Sequence, residues 1–157
     1  MTKELNNKVE VCVELETLWQ ALSKDLTVTL PTVIPNVVKG VQVVEGNGGI
    51  GTIFLFTFFS GVSPVSYQSE KIIVLDEVSH EIGLQVVDGG YLNQGFSYYR
   101  TNFQLSAMGE HKTLVKVKIS YEYESDIEES IVPMKTSESA LFFLRCLETY
   151  LLKLNGP

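Results

Sequence analysis

The sequence has 157 residues, of which 45% are hydrophobic, and it carries a formal net charge of −7 with a pI near 4.8. A chain of this length buries a full hydrophobic core, so residues 1–157 are expected to form a single domain. The negative charge argues against nucleic acid and membrane partners, because both need cationic side chains. There is no apolar run that suits a signal peptide or a membrane helix, and Cys12 and Cys146 are isolated. We therefore expect a cytoplasmic protein that also diffuses into the nucleus.

The first predicted elements are one strand and two short helices. Apolar and polar residues alternate over residues 5–13, which is typical of a strand with one buried face. Apolar residues recur at helical spacing over residues 15–22 and predict an amphipathic helix. A second short helix up to about Ile34 is expected, although Pro31 weakens the pattern.

The rest of the chain predicts strands followed by one long helix. Six runs rich in β-branched and aromatic residues are separated by short glycine, asparagine or acidic turns: 41–45, 52–59, 66–77, 80–87, 96–105 and 113–123. Such a series indicates an antiparallel meander. The expected helix runs from Pro133 to Leu154, with an apolar stripe made of Ala140, Phe143, Leu144, Leu147, Leu151 and Leu154. The predicted fold class is α+β, with an antiparallel sheet wrapped around this C-terminal helix.

The segment EGNGGIGT, residues 45–52, places four glycines between two apolar runs. A P-loop needs a lysine directly after its last glycine, but Gly51 is followed by Thr52. A dinucleotide-binding fingerprint needs a helix after the glycines, but the strand-like TIFLFTFF follows. Both observations favour a turn between antiparallel strands, where glycines supply positive φ angles.

The element order, together with EGNGGIGT, PTVIPNVVKGVQVVEG, VVDGGYL and LRCLETYLL, resembles the plant pathogenesis-related proteins of class ten, the family of the major birch pollen allergen. The resemblance covers the whole chain. Within that family, SHEIGLQVVDGGYLNQGFSYY, KTLVKVKISYEYESDIEE and KTSESALFFLRCLETYL are most similar to the cytokinin-specific binding proteins of legumes.

The resemblance implies a seven-stranded antiparallel sheet, two short helices and a long C-terminal helix that enclose a large hydrophobic cavity. We expect an internal void above about 300 Å³, the low end for ligand pockets. The implied function is non-enzymatic: residues 1–157 form one hormone-binding domain that carries or stores a cytokinin or gibberellin, without a metal or other cofactor. The implied partner is the hormone alone, and the protein is expected to be a monomer or weak dimer.

Strand alternation and the resemblance together assign the residues that face the ligand. In GTIFLFTFF neither face is favoured by periodicity alone, and the resemblance puts Phe54 and Phe56 inward. The same parity puts Gln68 and Glu70 inward on the next strand. The expected ligand-binding set is Leu22, Phe54, Phe56, Gln68, Glu70, Leu84, Tyr99, Phe103, Thr136, Ser139, Ala140 and Phe143.

Gln68 and Glu70 are the predicted polar anchors of the ligand. They lie two residues apart on one strand, so their side chains point to the same face about 6 to 7 Å apart. Unpaired buried polar groups cost about 1 to 3 kcal/mol, so we expect a ligand or water to pair with them. Two alternatives stay open: the aromatic residues form a solid core, or Glu70 is a rim residue in water.

The resemblance also shows one departure. Two helix positions that carry hydroxyl groups in the cytokinin-binding proteins are Ala140 and Phe143 in this chain. A pocket that is more apolar on its helix side suits a bulkier, mostly hydrocarbon hormone such as a gibberellin.

An enzyme of the same fold is the alternative function. Ribonuclease activity is claimed for some family members, and Glu148 and Tyr150 match residues proposed there, but the accompanying cation and third carboxylate are missing. A small-molecule-converting enzyme of this fold is expected to use an acid and a lysine, and no lysine falls at an inward strand position. His80 and His111 lie in turn regions without a third metal ligand, which predicts solvated turns rather than a metal site.

Overall fold

The computed structural model describes residues 2–60, 66–123 and 132–155, the last of these segments with side chains from 138 to 154. The strands in this part of the chain are β1 (Lys3–Val11), β2 (Val38–Glu45), β3 (Ile53–Phe58), β4 (Tyr67–Asp76), β5 (Glu81–Gly89), β6 (Phe96–Ala107) and β7 (Thr113–Tyr123). The helices are α1 (Leu15–Ser23), α2 (Leu26–Val33) and α3 (Val132–Asn155), and a short 3₁₀ helix, Gly90–Gln94, follows β5.

The described strands form one sheet of seven, in the order β1-β7-β6-β5-β4-β3-β2. Every pairing is antiparallel. The strands from β2 to β7 each lie beside the next strand in the sequence, and β1 forms the edge of the sheet beside β7. This arrangement confirms the predicted α+β class. No helix of the described residues is long and apolar enough to cross a membrane.

One face of α3 packs into the concave side of the sheet. Leu144 and Leu147 are fully buried, as are Val115 on β7 and Leu18 on α1. These side chains belong to one continuous apolar cluster, which holds the two ends of the chain together. Leu154 is 62% exposed, so the predicted apolar stripe is one turn too long: the last turn of α3 is open to solvent.

Strand β1 ends at Val11, two residues before the end that alternation predicts. The backbone N–H of Cys12 donates to Glu148 Oε2 on α3 at 2.7 Å instead of continuing the sheet ladder. The Thr113 hydroxyl donates to the Val13 carbonyl oxygen at 2.8 Å. The chain bends here because its backbone N–H and C=O groups bond to α3 and β7. These partners are distant in the sequence, so the alternation of side chains in β1 does not predict the bend.

The glycine segment at residues 45–52 is a structural turn, as predicted. Gly46, Gly48 and Gly51 have φ angles of 95°, 102° and 94°, which side-chain-bearing residues rarely adopt. The Gly48 N–H donates to Thr52 Oγ1 at 2.8 Å, and the Gly51 N–H donates to the Ile72 carbonyl oxygen at 2.8 Å. The first bond lies within the turn, and the second joins the turn to β4. Because both N–H groups already have acceptors in the protein, they are not available to bind a phosphate.

Candidate functional site

A cavity lies between the concave side of the sheet, helix α2 and helix α3. Its volume is about 170 Å³. It is lined by Leu22, Leu26, Leu30, Phe56, Gln68, Glu70, Ile82, Leu84, Tyr91, Tyr99, Thr101, Phe103, Ser139, Ala140 and Phe143. Ser139 is exposed, so the cavity reaches the surface beside α3.

The cavity is smaller than expected. A volume of about 170 Å³ falls below the 300 Å³ that we expect of a ligand pocket. The aromatic rings of Phe56, Phe103 and Phe143 border the space and are buried, which reduces the void that the backbone frame encloses. An apolar protein cavity of about 150 Å³ holds benzene, so the size here matches a single aromatic ring.

The structure brings most of the predicted ligand-facing residues together around this cavity. They are Leu22, Phe56, Gln68, Glu70, Leu84, Tyr99, Phe103, Ser139, Ala140 and Phe143. Phe54 is buried at 6% exposure and is the cross-strand partner of Glu70, but it does not line the cavity. The side chain of Thr136 lies outside the described residues. That these residues bind a ligand stays a prediction.

The expected ligand-binding set leaves out five lining residues: Ile82, Thr101, Leu26, Leu30 and Tyr91. Ile82 and Thr101 share the strand parity of Leu84 and Tyr99, which the set includes. Leu26 and Leu30 are four residues apart on α2 and therefore share one helix face, a signal that the short helix did carry. Tyr91 follows β5 and comes after two glycines with positive φ angles. The direction of its side chain therefore cannot be predicted from strand or helix periodicity.

Glu70 is the ionisable carboxyl group of the cavity. Burial raises the pKa of Glu70 from 4.5 to about 7, although the hydrogen bond from Gln68 lowers it. That bond runs from Gln68 Nε2 to Glu70 Oε2 at 3.2 Å. The side chain keeps some accessible surface, but this surface borders the cavity, so the carboxyl group is removed from bulk water. Both protonation states are consequently populated near neutral pH.

Tyr91 provides a neutral phenol beside Glu70. Its hydroxyl group is hydrogen-bonded to the side chains of Ser139 and Tyr99, and burial raises the pKa of Tyr91, with a further rise from the charge of Glu70. The Tyr91 and Tyr99 rings stack, with centroids 4.2 Å apart at 22°. The 3₁₀ helix thus places a hydrogen-bonding hydroxyl group at the wall of an otherwise apolar cavity.

Glu148, which the ribonuclease alternative invokes, has a different role in this structure. Its Oε2 atom accepts the Cys12 N–H, and its Oε1 atom accepts from Arg145 Nη1 at 3.0 Å. It does not line the cavity. Both carboxylate oxygens join α3 to the bend after β1, so Glu148 has a structural explanation that needs no substrate.

The two histidines do not form a metal site. His80 is not the solvated turn residue that we predicted: it is 18% exposed, its Nε2 atom lies 2.8 Å from Glu16 Oε1, and its ring packs edge-on against Trp19. His111 is 90% exposed, as expected. Among the residues that the structure describes, no group of three His, Cys, Asp or Glu side chains could hold a metal ion.

A curved antiparallel sheet that closes on a long helix around an apolar cavity defines a small-molecule-binding fold. The sequence profile of the pathogenesis-related protein Bet v 1 family matches residues 1–153, and the chain belongs to this family. The resemblance to the birch pollen allergen family is therefore confirmed, while the narrower likeness to the cytokinin-binding branch stays a prediction.

The individual relatives include named synthases. Norbelladine synthase from Narcissus pseudonarcissus is 28% identical over 127 residues, which cover 80% of this chain and 78% of that protein. S-norcoclaurine synthase from Thalictrum flavum subsp. glaucum is 28% identical over 87% of this chain, and the chain spans 65% of that relative's length. The X-ray structure of norcoclaurine synthase from Thalictrum flavum in complex with dopamine and hydroxybenzaldehyde is similar in fold, with a TM-score of 0.83 at 24% identity, over 100% of this chain and 90% of that one.

These relatives contradict the expectation of a non-enzymatic protein, because proteins similar over most of this chain are named as enzymes. The expectation came from the resemblance to hormone-binding proteins, and the lack of a lysine at an inward strand position argued against a converting enzyme. A lysine is not the only route to acid–base chemistry, since a carboxyl group whose pKa is about 7 can both accept and donate a proton at neutral pH.

Proposed function

We propose that this protein is an enzyme that converts small aromatic substrates inside its cavity, with Glu70 as the general acid–base group. The observation that carries the proposal is the Glu70 carboxyl group, which faces an apolar cavity with a pKa of about 7. Efficient general acid–base catalysis needs a pKa near the working pH, and an ordinary glutamate at 4.5 lacks that property.

The substrates that we propose are an aromatic amine and an aromatic aldehyde. Two observations support this class. A cavity of about 170 Å³ suits one aromatic ring at a time, with the second substrate near the mouth. A related synthase has been crystallised with dopamine and hydroxybenzaldehyde, which are an amine and an aldehyde with one ring each. In the proposed reaction the amine belongs to the substrate rather than to a lysine of the protein.

The proposed reaction is a condensation. Ionised Glu70 accepts a proton from the substrate ammonium group, and the free amine nitrogen then attacks the aldehyde carbon, forming a C–N bond as the carbonyl π electrons move to oxygen. A proton then moves from the attached ammonium nitrogen to that oxygen, which gives the neutral carbinolamine and restores the nitrogen lone pair. Protonated Glu70 next donates to its hydroxyl group, which leaves as water while the nitrogen lone pair forms an iminium ion. The neutral Tyr91 phenol is placed to donate a hydrogen bond to the carbonyl oxygen.

The test is product formation from dopamine and hydroxybenzaldehyde, followed by liquid chromatography and mass spectrometry. We expect the wild-type protein to accelerate condensation above the buffer rate and Glu70→Gln to lower this acceleration at least about 100-fold. Glu148→Gln is the matched control, because it removes a carboxylate outside the cavity, and it should retain the wild-type rate. A wild-type rate equal to that of buffer over a panel of aromatic amines and aldehydes would overturn the proposal, as would full activity in Glu70→Gln.

A second candidate function is the binding of a cytokinin or gibberellin in the same cavity. It is favoured by Ala140 and Phe143 on α3, which line the cavity with apolar side chains. The cytokinin-binding proteins carry hydroxyl groups at these two positions. A ligand with several rings exceeds about 170 Å³, so binding requires the aromatic wall to move apart. Calorimetric titration tests this candidate: the affinity of a gibberellin carboxylate should fall as pH rises through 7, because Glu70 then becomes charged. Heats equal to ligand dilution for both hormone classes would exclude it.

A further inference from the structure

Resting on the proposed role of Glu70, we propose that Gln68 is a positioning residue rather than a ligand anchor: its amide links the backbone of Tyr91 to the carboxyl group of Glu70, and Gly90 leaves the space for that link. This inference differs from the simpler expectation that Gln68 and Glu70 both bond to the ligand, and it assigns a role to Gly90.

The backbone N–H of Tyr91 fixes the orientation of the Gln68 amide. An N–H group can only donate, so the atom that faces it must be an acceptor. Gln68 Oε1 accepts this N–H at 3.1 Å. The opposite end of the amide, Nε2, then necessarily points to Glu70 Oε2 at 3.2 Å. Rotating the amide by 180° would place two donors against each other at Tyr91, and it is excluded for that reason.

Gly90 is part of the same arrangement. Its φ angle is 52°, and a Cβ atom at this position would collide with Gln68 Oε1. The neighbouring Gly89 has a φ angle of 68°, but its Cβ atom would instead meet the Tyr67 ring, 2.5 Å from Cε2. The two glycines thus both have positive φ angles in one turn, and they differ in which side chain they leave room for.

The two oxygens of the Glu70 carboxyl group consequently have different roles. Oε2 receives the Gln68 amide, whereas no hydrogen bond joins Oε1 to another described residue, so we assign Oε1 to the substrate. The cross-strand partners of Glu70 are Phe54 and Val86, which are apolar. Among the described lining residues, the only other ionisable groups are the phenols of Tyr91 and Tyr99, whereas α2 and α3 contribute leucine, serine, alanine and phenylalanine. Gln68 is therefore the amide donor that supports the charged form of Glu70.

The test is the pH titration of the Glu70 carboxyl carbon by ¹³C NMR in the full-length protein. Gln68→Met and Gly90→Ala should each raise the titration midpoint by about one pH unit, because both remove a hydrogen bond that favours the carboxylate. Gly89→Ala is the matched control: Gly89 pairs with Gln68 across β4 and β5, but its added Cβ atom would meet the Tyr67 ring rather than the Gln68 amide, so its midpoint should equal that of the wild-type protein. If Gln68→Met fails to fold, Gly90→Ala still decides the question.

Two outcomes would overturn the inference: an unchanged midpoint in the folded Gln68 and Gly90 variants, or an equal shift in Gly89→Ala, which would assign the effect to strain in the turn. The titration is independent of turnover. If the wild-type protein has no catalytic activity, the proposed function is overturned and this inference still stands. If the wild-type protein is active but the midpoints of the Gln68 and Gly90 variants do not shift, the inference is overturned and the proposed function still stands.

Discussion

Glu70 and Glu148 are both poorly accessible glutamates, but their surroundings differ. From the sequence, Glu70 was predicted to anchor a ligand, and Glu148 was invoked only by the ribonuclease alternative. Glu148 accepts one bond from the Cys12 backbone and one from the Arg145 guanidinium group, so both of its oxygens are paired. Glu70 accepts one bond from an amide and otherwise faces an apolar cavity. Glu148 is therefore held by structural contacts on both oxygens, whereas burial disfavours the charge of Glu70.

This difference shows which buried carboxyl group is available for chemistry. Glu148, with a donor on each oxygen, joins α3 to the bend after β1. A carboxyl group with one neutral donor in an apolar cavity has a pKa near neutrality and destabilises the folded state when it is charged. Burial alone therefore does not identify a catalytic residue; the number and the charge of its partners decide.

The largest expected effect is on the pH dependence of stability at Glu70. The folded-state pKa of about 7 lies above 4.5, so the favourable contribution of Glu70 is fully present below pH 4.5 and is lost as pH rises through 7. Above pH 7, Glu70→Gln should be more stable than the wild-type protein by up to about 3 kcal/mol, and below pH 4.5 the two should be equal apart from the change of side chain. Urea denaturation from pH 4 to 9 measures this difference.

Comparing the two proteins at each pH also removes the contribution of other carboxylates. The pKa of Asp76, for example, is lowered by the backbone N–H groups of Ser79 and Val78, and its effect on stability has the opposite sign. A difference between wild type and Glu70→Gln that stays constant from pH 4 to 9 would show that Glu70 is an ordinary solvated glutamate, which is the rim alternative.

Much of this arrangement could be predicted from the sequence. Strand parity put Phe56, Gln68, Glu70 and Leu84 on the inner face, because alternation is a local property of an extended chain and the resemblance fixed which face was inward. The glycine turn at residues 45–52 was predictable for a similar reason, since the strand-like segment after it excludes a helix.

Other features depend on contacts that are distant in sequence. The position of Tyr91 depends on two positive φ angles and on a hydrogen bond to Gln68, which is 23 residues away. The cavity volume depends on how the aromatic rings pack, which the alternation of side chains does not determine. Glu148 resembled a solvent-facing residue or a catalytic one, because its partner Cys12 lies 136 residues earlier in the chain.

The second prediction concerns the structural carboxylate. Glu148→Met should destabilise the protein by about 2 kcal/mol at pH 7, because the Cys12 N–H loses its acceptor and a hydrogen bond to a charged group is removed. The effect has the opposite sign to that of Glu70→Gln at pH 8, and condensation activity at a temperature where the variant is folded should match the wild type. Equal stability in chemical denaturation would mean that the bend after β1 does not depend on Glu148.

The smallest expected effect separates the two partners of Glu148. Arg145 Nη1 lies 3.0 Å from both Glu148 Oε1 and the Glu10 carbonyl oxygen, but the Arg145 side chain is 56% exposed. Exposed ion pairs contribute about 0.2 to 1 kcal/mol, since solvent and salt screen the charges. Arg145→Met should therefore destabilise the protein by only about 0.5 kcal/mol, and less in 1 M salt, whereas most of the Glu148→Met effect should persist in salt because it comes from the Cys12 N–H.

A double-mutant cycle with Glu148→Met measures the coupling of the pair. A coupling energy as large as the whole Glu148→Met effect would mean that the ion pair dominates, and that Glu148, like Glu70, owes its behaviour to one partner.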